Sequence, residues 1–165
     1  MRTVKLITFV IFVVLSAFTN AKVYTLKGKP EVGSRFKTNL ATSSVPFDKR
    51  YKQMAPEEQA IIRANYEDLG ENDSPPFPNK GLKSIYLPLI KYHKLNLREG
   101  DLVAIATVSA KGVAEQVQVY SSPNQAMTEF IIALLFETKF DPGLCDGKPC
   151  QMEYLIDLGL NVDFN

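Results

Sequence analysis

Apolar and polar residues alternate most regularly near the carboxyl end of the chain, from Cys150 onward. Every second position of this segment is apolar, and the positions between them are mostly polar. The apolar set is Cys150, Met152, Tyr154, Ile156, Leu158, Leu160, Val162 and Phe164. A period of two predicts a β-strand with one buried and one wetter face. Burial on one side is typical of an antiparallel sheet covered by one layer of helices.

Two upstream runs rich in β-branched residues predict a hairpin. Leu102 to Val108 and Val113 to Tyr120 are separated by a short connection that contains Gly112, and such a connection is typical of antiparallel neighbours. The alternation of the second run predicts two faces. Val113, Val117 and Val119 share one face, and Ala114, Gln116, Gln118 and Tyr120 share the other.

A helix is predicted between the hairpin and the last strand. Ser122 is expected to cap it, with Pro123 in the first turn and Gln125 three residues after the cap. The helix should end near Lys139, because Asp141 precedes a proline. Its apolar stripe is expected to comprise Phe130, Ala133 and Leu134, widened by Ile131 and Leu135. Hairpin, helix and strand together predict the α+β class.

The first half of the chain is predicted to be an arm and a connector. A short strand is expected at Val23 to Leu26, and a helix from Met54 to Leu69 that Gly70 ends. The proline-rich stretch around Pro75 predicts a boundary, with an arm over residues 22–74 and a main domain over 75–165. A further helix over 81–94 is expected to kink or restart at Pro88.

The start of the chain has the pattern of a secretory signal peptide. Arg2 and Lys5 precede an apolar run from Leu6 to Phe18, and small residues follow up to Ala21. We therefore expect cleavage after Ala21 and export of a protein without stable membrane insertion. The alternative is an uncleaved anchor, which needs about 20 apolar residues to span a bilayer, and this run is shorter.

The net charge of the exported chain provides no electrostatic attraction to nucleic acid. Without Arg2 and Lys5, 17 of the 19 Lys and Arg residues remain against 18 Asp and Glu, a net charge of about −1. Binding to phosphate backbones or to anionic lipid depends on a basic surface. A nucleic-acid partner is therefore not expected.

Both cysteines lie in one short segment, Cys145 to Cys150. In an exported protein an even count at close spacing predicts a disulfide, and Asp146-Gly147 can supply the turn between them. A redox-active pair or half of a metal site are the functional alternatives. The four intervening residues and the single histidine, His93, make both weaker interpretations.

The order of these elements resembles the TonB C-terminal domain. The resemblance covers roughly Pro75 to Leu160 and depends on short motifs in sequence order. They are Phe77-Pro78, the hairpin through Gly112 and Val113 and from Val117 to Tyr120, Ser121-Ser122, Phe140-Asp141-Pro142 and Gly147-Lys148-Pro149. In that family the domain lies in the periplasm and binds outer-membrane receptors by strand addition while transmitting force from an inner-membrane motor.

This resemblance implies a periplasmic protein-interaction module with a role connected to transport, with no catalysis and no cofactor or metal. The chain departs from the force transducers, because its amino-terminal segment looks cleavable and its connector is too short to cross the periplasm. Motor coupling is therefore not implied. The expected partner is an outer-membrane receptor or another periplasmic protein.

The candidate binding residues lie mainly on the wetter face of the last strand. They are Gln151, Glu153, Leu155 and Asp157, together with Phe77 and Pro78 from the connector. Two interpretations of the strand stay open: it forms a free edge for a partner, or it is paired on both sides.

The alternative function from another class is a small exported enzyme or a carrier of apolar ligands. Aromatic residues of the helices could line its pocket, although helical spacing favours core packing. His93 is expected to face solvent at a helix end, because no acidic or cysteine cluster accompanies it. The acidic pairs Glu57-Glu58 and Glu67-Asp68 are expected on solvated faces, because sequential neighbours point apart on a helix.

Overall fold

The computed structural model describes residues 23–26 and 45–160. The expected signal peptide and the strand positions Val162 and Phe164 lie outside these ranges. In chain order the strands and helices are β1 (Val23–Leu26), α1 (Pro56–Arg63), β2 (Phe77–Pro78), α2 (Lys83–Asn96), β3 (Gly100–Val108), β4 (Ala114–Ser121), α3 (Gln125–Glu137), β5 (Phe140–Asp141), β6 (Gly143–Cys145), β7 (Lys148–Cys150) and β8 (Met152–Leu160). A 3₁₀ turn, Tyr51–Gln53, precedes α1. The α+β class is confirmed.

The main sheet has four strands in the order β1-β4-β3-β8. The predicted hairpin is confirmed as β3 and β4, and β8 pairs antiparallel with β3 along its whole length. The short strand expected at Val23 to Leu26 is confirmed as β1, which pairs parallel with β4. Two small ribbons, β2–β5 and β6–β7, stand beside this sheet.

A β-bulge in β4 places Ala114 on the opposite sheet face from the one predicted. Thr107 pairs with Gln116, but the next residue, Val108, pairs with Ala114, so Glu115 is the extra residue. Two residues opposite one shift the alternation by one position. Ala114 is therefore buried beside Val117, and the prediction that it lies on the opposite face was wrong.

Helix α3 begins two residues later than predicted. Its cap is Asn124, whose side-chain oxygen accepts a hydrogen bond from the Met127 N–H at 2.8 Å, while the Ser122 hydroxyl donates to the Asn124 carbonyl. Ala133 is exposed, so its predicted place in the apolar stripe was wrong, because the helix face that packs into the core carries Met127, Ile131 and Leu135. The buried residues are Met127, Thr128, Ile131, Ile132, Leu135 and Phe136.

The core lies between one face of the sheet and helices α2 and α3. Ile85 and Leu89 from α2 and Ile131 and Leu135 from α3 are fully buried there with strand residues such as Ile156. Helix α2 runs through Pro88 without interruption, so it does not restart there.

His93 lies on the inner face of α2. Only 3% of its surface is exposed, so the solvent-facing position predicted for it was wrong. It is buried on the same helix as Ile85 and Leu89 and belongs to the interior of the domain.

The first helix of the arm is shorter than predicted. It ends at Arg63, and the Asn65 and Tyr66 amides make i→i−3 bonds that tighten the chain into a turn. The Arg63 guanidinium donates to the carbonyls of Leu69, Gly70 and Asp73 and so holds the following loop against the helix end. The prediction of a helix continuing to Leu69 was therefore wrong.

The arm packs against the main domain through its own apolar cluster. Val45, Tyr51 and Met54 are buried with Phe77 of β2. Phe77 and Pro78 pair in turn with Asp141 and Phe140. This arrangement places residues 45–66 beside strand β8.

Candidate functional site

Strand β8 forms one edge of the sheet. Its residues pair in register with β3 from Met152 opposite Val108 to Leu160 opposite Gly100. Across residues 23–26 and 45–160, no other strand is hydrogen-bonded to β8 in the sheet order. The last strand therefore has one side that the described chain does not pair.

The backbone groups that point away from β3 can be identified from one hydrogen bond. The Tyr66 hydroxyl donates to the Glu153 carbonyl at 2.9 Å, so this carbonyl faces outward. In an antiparallel pair, residues alternate between bonding their partner strand and pointing away from it. The N–H and C=O groups of Leu155, Asp157 and Gly159 therefore also face the open side.

A groove of about 360 Å³ runs along this open side. One wall is the β8 edge from Tyr154 to Gly159, and the other is built by the arm and the start of α2. The second wall is largely apolar and comprises Val45, Phe47, Ile62, Pro76, Phe77, Leu82 and Tyr86, with Asn65 and Tyr66. A strand edge that faces an apolar wall is the geometry of strand-addition sites.

Two aromatic residues form a defined part of the apolar wall. The rings of Phe47 and Tyr86 meet edge to face, with centroids 5.4 Å apart. Burial raises the pKa of Tyr86, and the Asp157 carboxylate raises it further. The Tyr86 phenol is therefore neutral at physiological pH and close enough to Asp157 to feel its charge.

Asp157 is the charged residue in the middle of the open edge. Partial burial raises the pKa of its carboxyl group, and the charge of Asp101 raises it further. Asp101 lies diagonally across from Asp157 on β3, since Val103 pairs with Asp157 and Asp101 pairs with Gly159. The ion pairs of the described chain, Lys49–Glu58 and Arg50–Asp141, do not include either carboxylate.

A second cleft, of about 410 Å³, lies at the other end of the wetter sheet face. Its lining is mainly polar and includes Asp68, Asp73, Thr107, Gln116, Gln118, Gln151 and Glu153. The Asp73 carboxylate already accepts hydrogen bonds from the Gly70 and Asp146 amides at 3.0 and 2.7 Å. This carboxylate holds the loop in place through both of its oxygens.

The structure divides the predicted binding residues between the two clefts. Leu155, Asp157 and Phe77 line the apolar groove, and Gln151 and Glu153 line the polar cleft. Pro78 is buried in the β2–β5 ribbon and lines neither. Their assignment to partner binding stays a prediction. Among them, only Leu155, Asp157 and Phe77 line the apolar groove beside the open edge.

Cys145 and Cys150 are joined in a disulfide, with their Cα atoms 5.8 Å apart. They lie in the β6–β7 ribbon, where Asp146 and Gly147 form the turn with positive φ at both positions. Positive φ at both central residues is typical of the tightest hairpin turns. The Ser74–Leu144 bridge connects this ribbon to the end of the arm.

Sequence reasoning missed the arm's contribution to the groove. Ile62 lies in the predicted helix of the arm, and neither it nor Val45, Phe47 or Leu82 was predicted to bind a partner. Val45 and Phe47 are single apolar residues in a segment without a sustained period, and Ile62 and Leu82 lie in predicted helices, where apolar spacing indicates core packing. Only their packing beside β8 connects them.

Among residues 23–26 and 45–160, no group of three or more His, Cys, Asp or Glu side chains could hold a metal ion. No helix in the same part of the chain is both apolar enough and long enough to cross a bilayer. No family model, curated protein or solved structure matches the chain. The family assignment therefore stays a proposal that depends on the motifs and on the geometry of the edge.

Proposed function

We propose that the protein is a periplasmic protein-interaction module similar to the TonB C-terminal domain, and that it binds an extended partner segment by strand addition to β8. The observation that carries this proposal is the open edge beside the apolar groove. Leu155, Asp157 and Gly159 direct their backbone groups toward it, as the Tyr66–Glu153 hydrogen bond indicates. Main-chain pairing would supply affinity, and the apolar wall would select side chains.

The edge offers a defined length to a partner. At Glu153 the outward carbonyl already accepts from Tyr66, so the free stretch begins at Leu155 and continues to Gly159. A partner strand of about five residues fits this length at about 3.4 Å per residue. Such a short contact would add few main-chain bonds, so side-chain contacts with the groove must contribute.

The decisive test replaces one outward N–H. Proline cannot donate to a ladder but is tolerated on edge strands whose N–H faces outward. Leu155→Pro should therefore keep the fold and weaken partner capture about five-fold, the effect of about 1 kcal/mol from one lost hydrogen bond. Leu155→Thr is the matched control, because it changes the side chain and keeps the N–H.

The measurement is capture from a periplasmic extract of a Gram-negative bacterium, with both variants and the wild type as bait. Circular dichroism and thermal unfolding establish that each bait is folded. Strand addition is supported if Leu155→Pro loses a partner that Leu155→Thr retains. Equal capture by a folded Leu155→Pro protein would contradict it.

The proposed compartment has a separate test. Export should remove Met1 to Ala21, so the intact mass of periplasmic protein should correspond to a chain that begins near Lys22. A retained segment in the membrane fraction would contradict periplasmic release and would favour a tethered protein.

The polar cleft supports a second candidate function, an exported carrier of a small polar ligand. The Gln116 side chain can offer both donors and an acceptor, and the Gln118 amide can donate while its oxygen accepts from the Tyr120 hydroxyl at 3.0 Å. A thermal-shift screen of small polar compounds against wild type and Gln116→Leu tests it. A compound that stabilises only the wild type, while Leu155→Pro has no effect on capture, would favour the carrier.

A further inference from the structure

The chemistry around the open edge also restricts the kind of segment that it can accept. Leu155 and Asp157 point to the same sheet face two positions apart, as alternation along a strand requires. The residues of an added strand that lie beside them would also be two positions apart on that face. Each would be a cross-strand neighbour, and such neighbours interact directly.

The position beside Asp157 has two neighbouring negative charges and no cation from the described residues to balance them. Asp157 and Asp101 are diagonal neighbours on one face, and the ion pairs found in the described chain involve neither of them. Two carboxylates without a cation repel each other, and partial burial weakens the solvation of Asp157. A lysine or arginine on an added strand would relieve both effects.

The position beside Leu155 is apolar, and so is the opposite side of the groove. The added residue between these two positions would point to the other sheet face, where Leu158 and Tyr86 line the groove. The apolar wall continues through Phe47, which packs against Tyr86. Two neighbouring apolar side chains would therefore be accommodated next to the basic one.

We infer that the β8 edge accepts an extended segment in which a lysine or arginine lies two positions from an apolar residue, with a second apolar residue between them. The basic side chain lies beside Asp157 and Asp101, and the two apolar side chains contact Leu155 and the Leu158–Tyr86 wall. This inference rests on the proposed strand addition and names its specificity.

The same charges disfavour a second copy of this chain as the occupant. If two β8 edges paired antiparallel with Leu155 at the centre, Glu153 would lie opposite Asp157 of the other copy. Centring on Asp157 would place the two Asp157 carboxylates opposite each other. The register that pairs Leu155 with Asp157 leaves both Asp157 carboxylates without a cation. Like charges directly opposite are destabilising, and inward charges are a common protection of edge strands.

The experiment uses a displayed library of random peptides, selected on the mature protein and on charge-reversed variants. Wild type should enrich peptides that contain the basic–apolar–apolar pattern in either direction. Asp157→Lys should replace the basic preference with an acidic one and weaken binding of the wild-type peptides roughly three- to ten-fold. Glu115→Lys is the matched control, because Glu115 is exposed on β4, two strands away from the edge.

Amide chemical shifts of Leu155, Asp157 and Gly159 distinguish the two levels of failure. Peptides that shift these amides but show no basic preference, or that bind Asp157→Lys equally well, overturn the specificity and leave strand addition intact. Peptides that never shift these amides overturn strand addition itself. Self-association that Leu155→Pro abolishes would overturn the basic partner in favour of a second copy.

Discussion

Asn124 fixes the first turn of α3 through a single side-chain hydrogen bond. Its oxygen accepts from the Met127 N–H, one of the amides that the helix itself leaves without a partner. Ser122 contacts only the Asn124 carbonyl through its hydroxyl. The two residues lie two positions apart, yet only one of them caps the helix.

Asn124→Ala should therefore lower the free energy of unfolding by about 1 kcal/mol, the usual cost of losing a cap. Ser122→Ala is the matched control and should cost less, because no helix amide depends on its hydroxyl. Urea unfolding followed by circular dichroism measures both. An equal or larger loss for Ser122→Ala would indicate that Ser122 is the cap, as the sequence predicted.

The raised pKa of Asp157 determines the direction in which the stability of the protein changes with pH. Its pKa is raised in the folded state by burial and by Asp101, so the folded protein holds the proton more tightly than the unfolded chain. Stability should then fall as pH rises from the unfolded carboxyl value, about 4, through the raised folded value.

Asp157→Asn removes this carboxyl group, so the variant should gain stability relative to wild type at pH 7 and lose that advantage near pH 3. Chemical unfolding at both pH values measures the difference. Glu115→Gln serves as the control for removing one exposed acidic residue. A constant difference between Asp157→Asn and wild type across the range would contradict the raised pKa.

At the scale of elements, the β3–β4 turn is tied to the ribbon around Phe140. Gly112 has φ +72 and its carbonyl accepts a hydrogen bond from the Phe140 amide. A side chain at this position would overlap the Phe140 carbonyl oxygen. Gly147 shares the positive φ, at +75, but has open space around it.

The two glycines form a matched pair for mutation. Gly147→Ala should cost about 1–3 kcal/mol, because only the backbone conformation is strained. Gly112→Ala should cost clearly more, because the turn must also move away from Phe140. Thermal unfolding of both variants measures the difference. Equal losses would indicate that the turn and the ribbon are not mechanically coupled.

The Cys145–Cys150 bridge closes a short loop and should contribute only modestly. Removing it as the Cys145→Ala, Cys150→Ala pair should cost roughly 2 kcal/mol and keep the secondary structure. Protein isolated from the periplasm without reductant should contain no reactive thiol. Two reactive thiols in such protein would contradict the bridge in the exported state.

At the scale of the whole molecule, the arm and the main domain share packing and polar contacts. Met54 is buried against Phe77, Arg50 pairs with Asp141, and Tyr66 bonds to Glu153. The first two contacts lie on the β2–β5 ribbon, where Phe77 pairs with Asp141, and the third lies on β8. Residues 45–66 should therefore unfold together with it.

Met54→Ala tests this coupling. It should lower the free energy of unfolding by about 2 kcal/mol, the lower end for a buried methionine, because its cluster is small. Lys52→Ala, which is exposed, should have little effect. A single transition is expected in both variants by circular dichroism and by tyrosine fluorescence. Separate transitions would show that the arm unfolds on its own.

The features predicted correctly from the sequence are those that residues close together in the chain determine. The β3–β4 hairpin, the end of α3 and the β6–β7 turn follow from alternation, from Pro142 and from Asp146-Gly147, so these predictions were confirmed. The bulge at Glu115 was missed, because the pattern of alternation gives no sign of one extra residue. The cap was misplaced because Ser122 and Asn124 are both good capping residues.

The candidate site could be predicted only in part. Leu155 and Asp157 were recognised from the wetter face of β8, but the facing wall comes from Val45, Phe47 and Ile62, about a hundred residues earlier in the chain. No local pattern records a contact at that distance. The burial of His93 was missed for the same reason, because it depends on how α2 lies against the rest of the domain.

The parallel pairing of β1 with β4 has a consequence for the order of folding. Val23 pairs with Gln116, so about ninety residues must be closed into a loop before this contact forms. The β3–β4 hairpin and β8 join residues that are much closer in sequence, and short loops close first. A three-stranded intermediate would therefore precede the complete sheet, with β4 as well as β8 unprotected. The late arrival of β1 would cover the β4 edge, and the finished sheet would then have its two edges at β1 and β8.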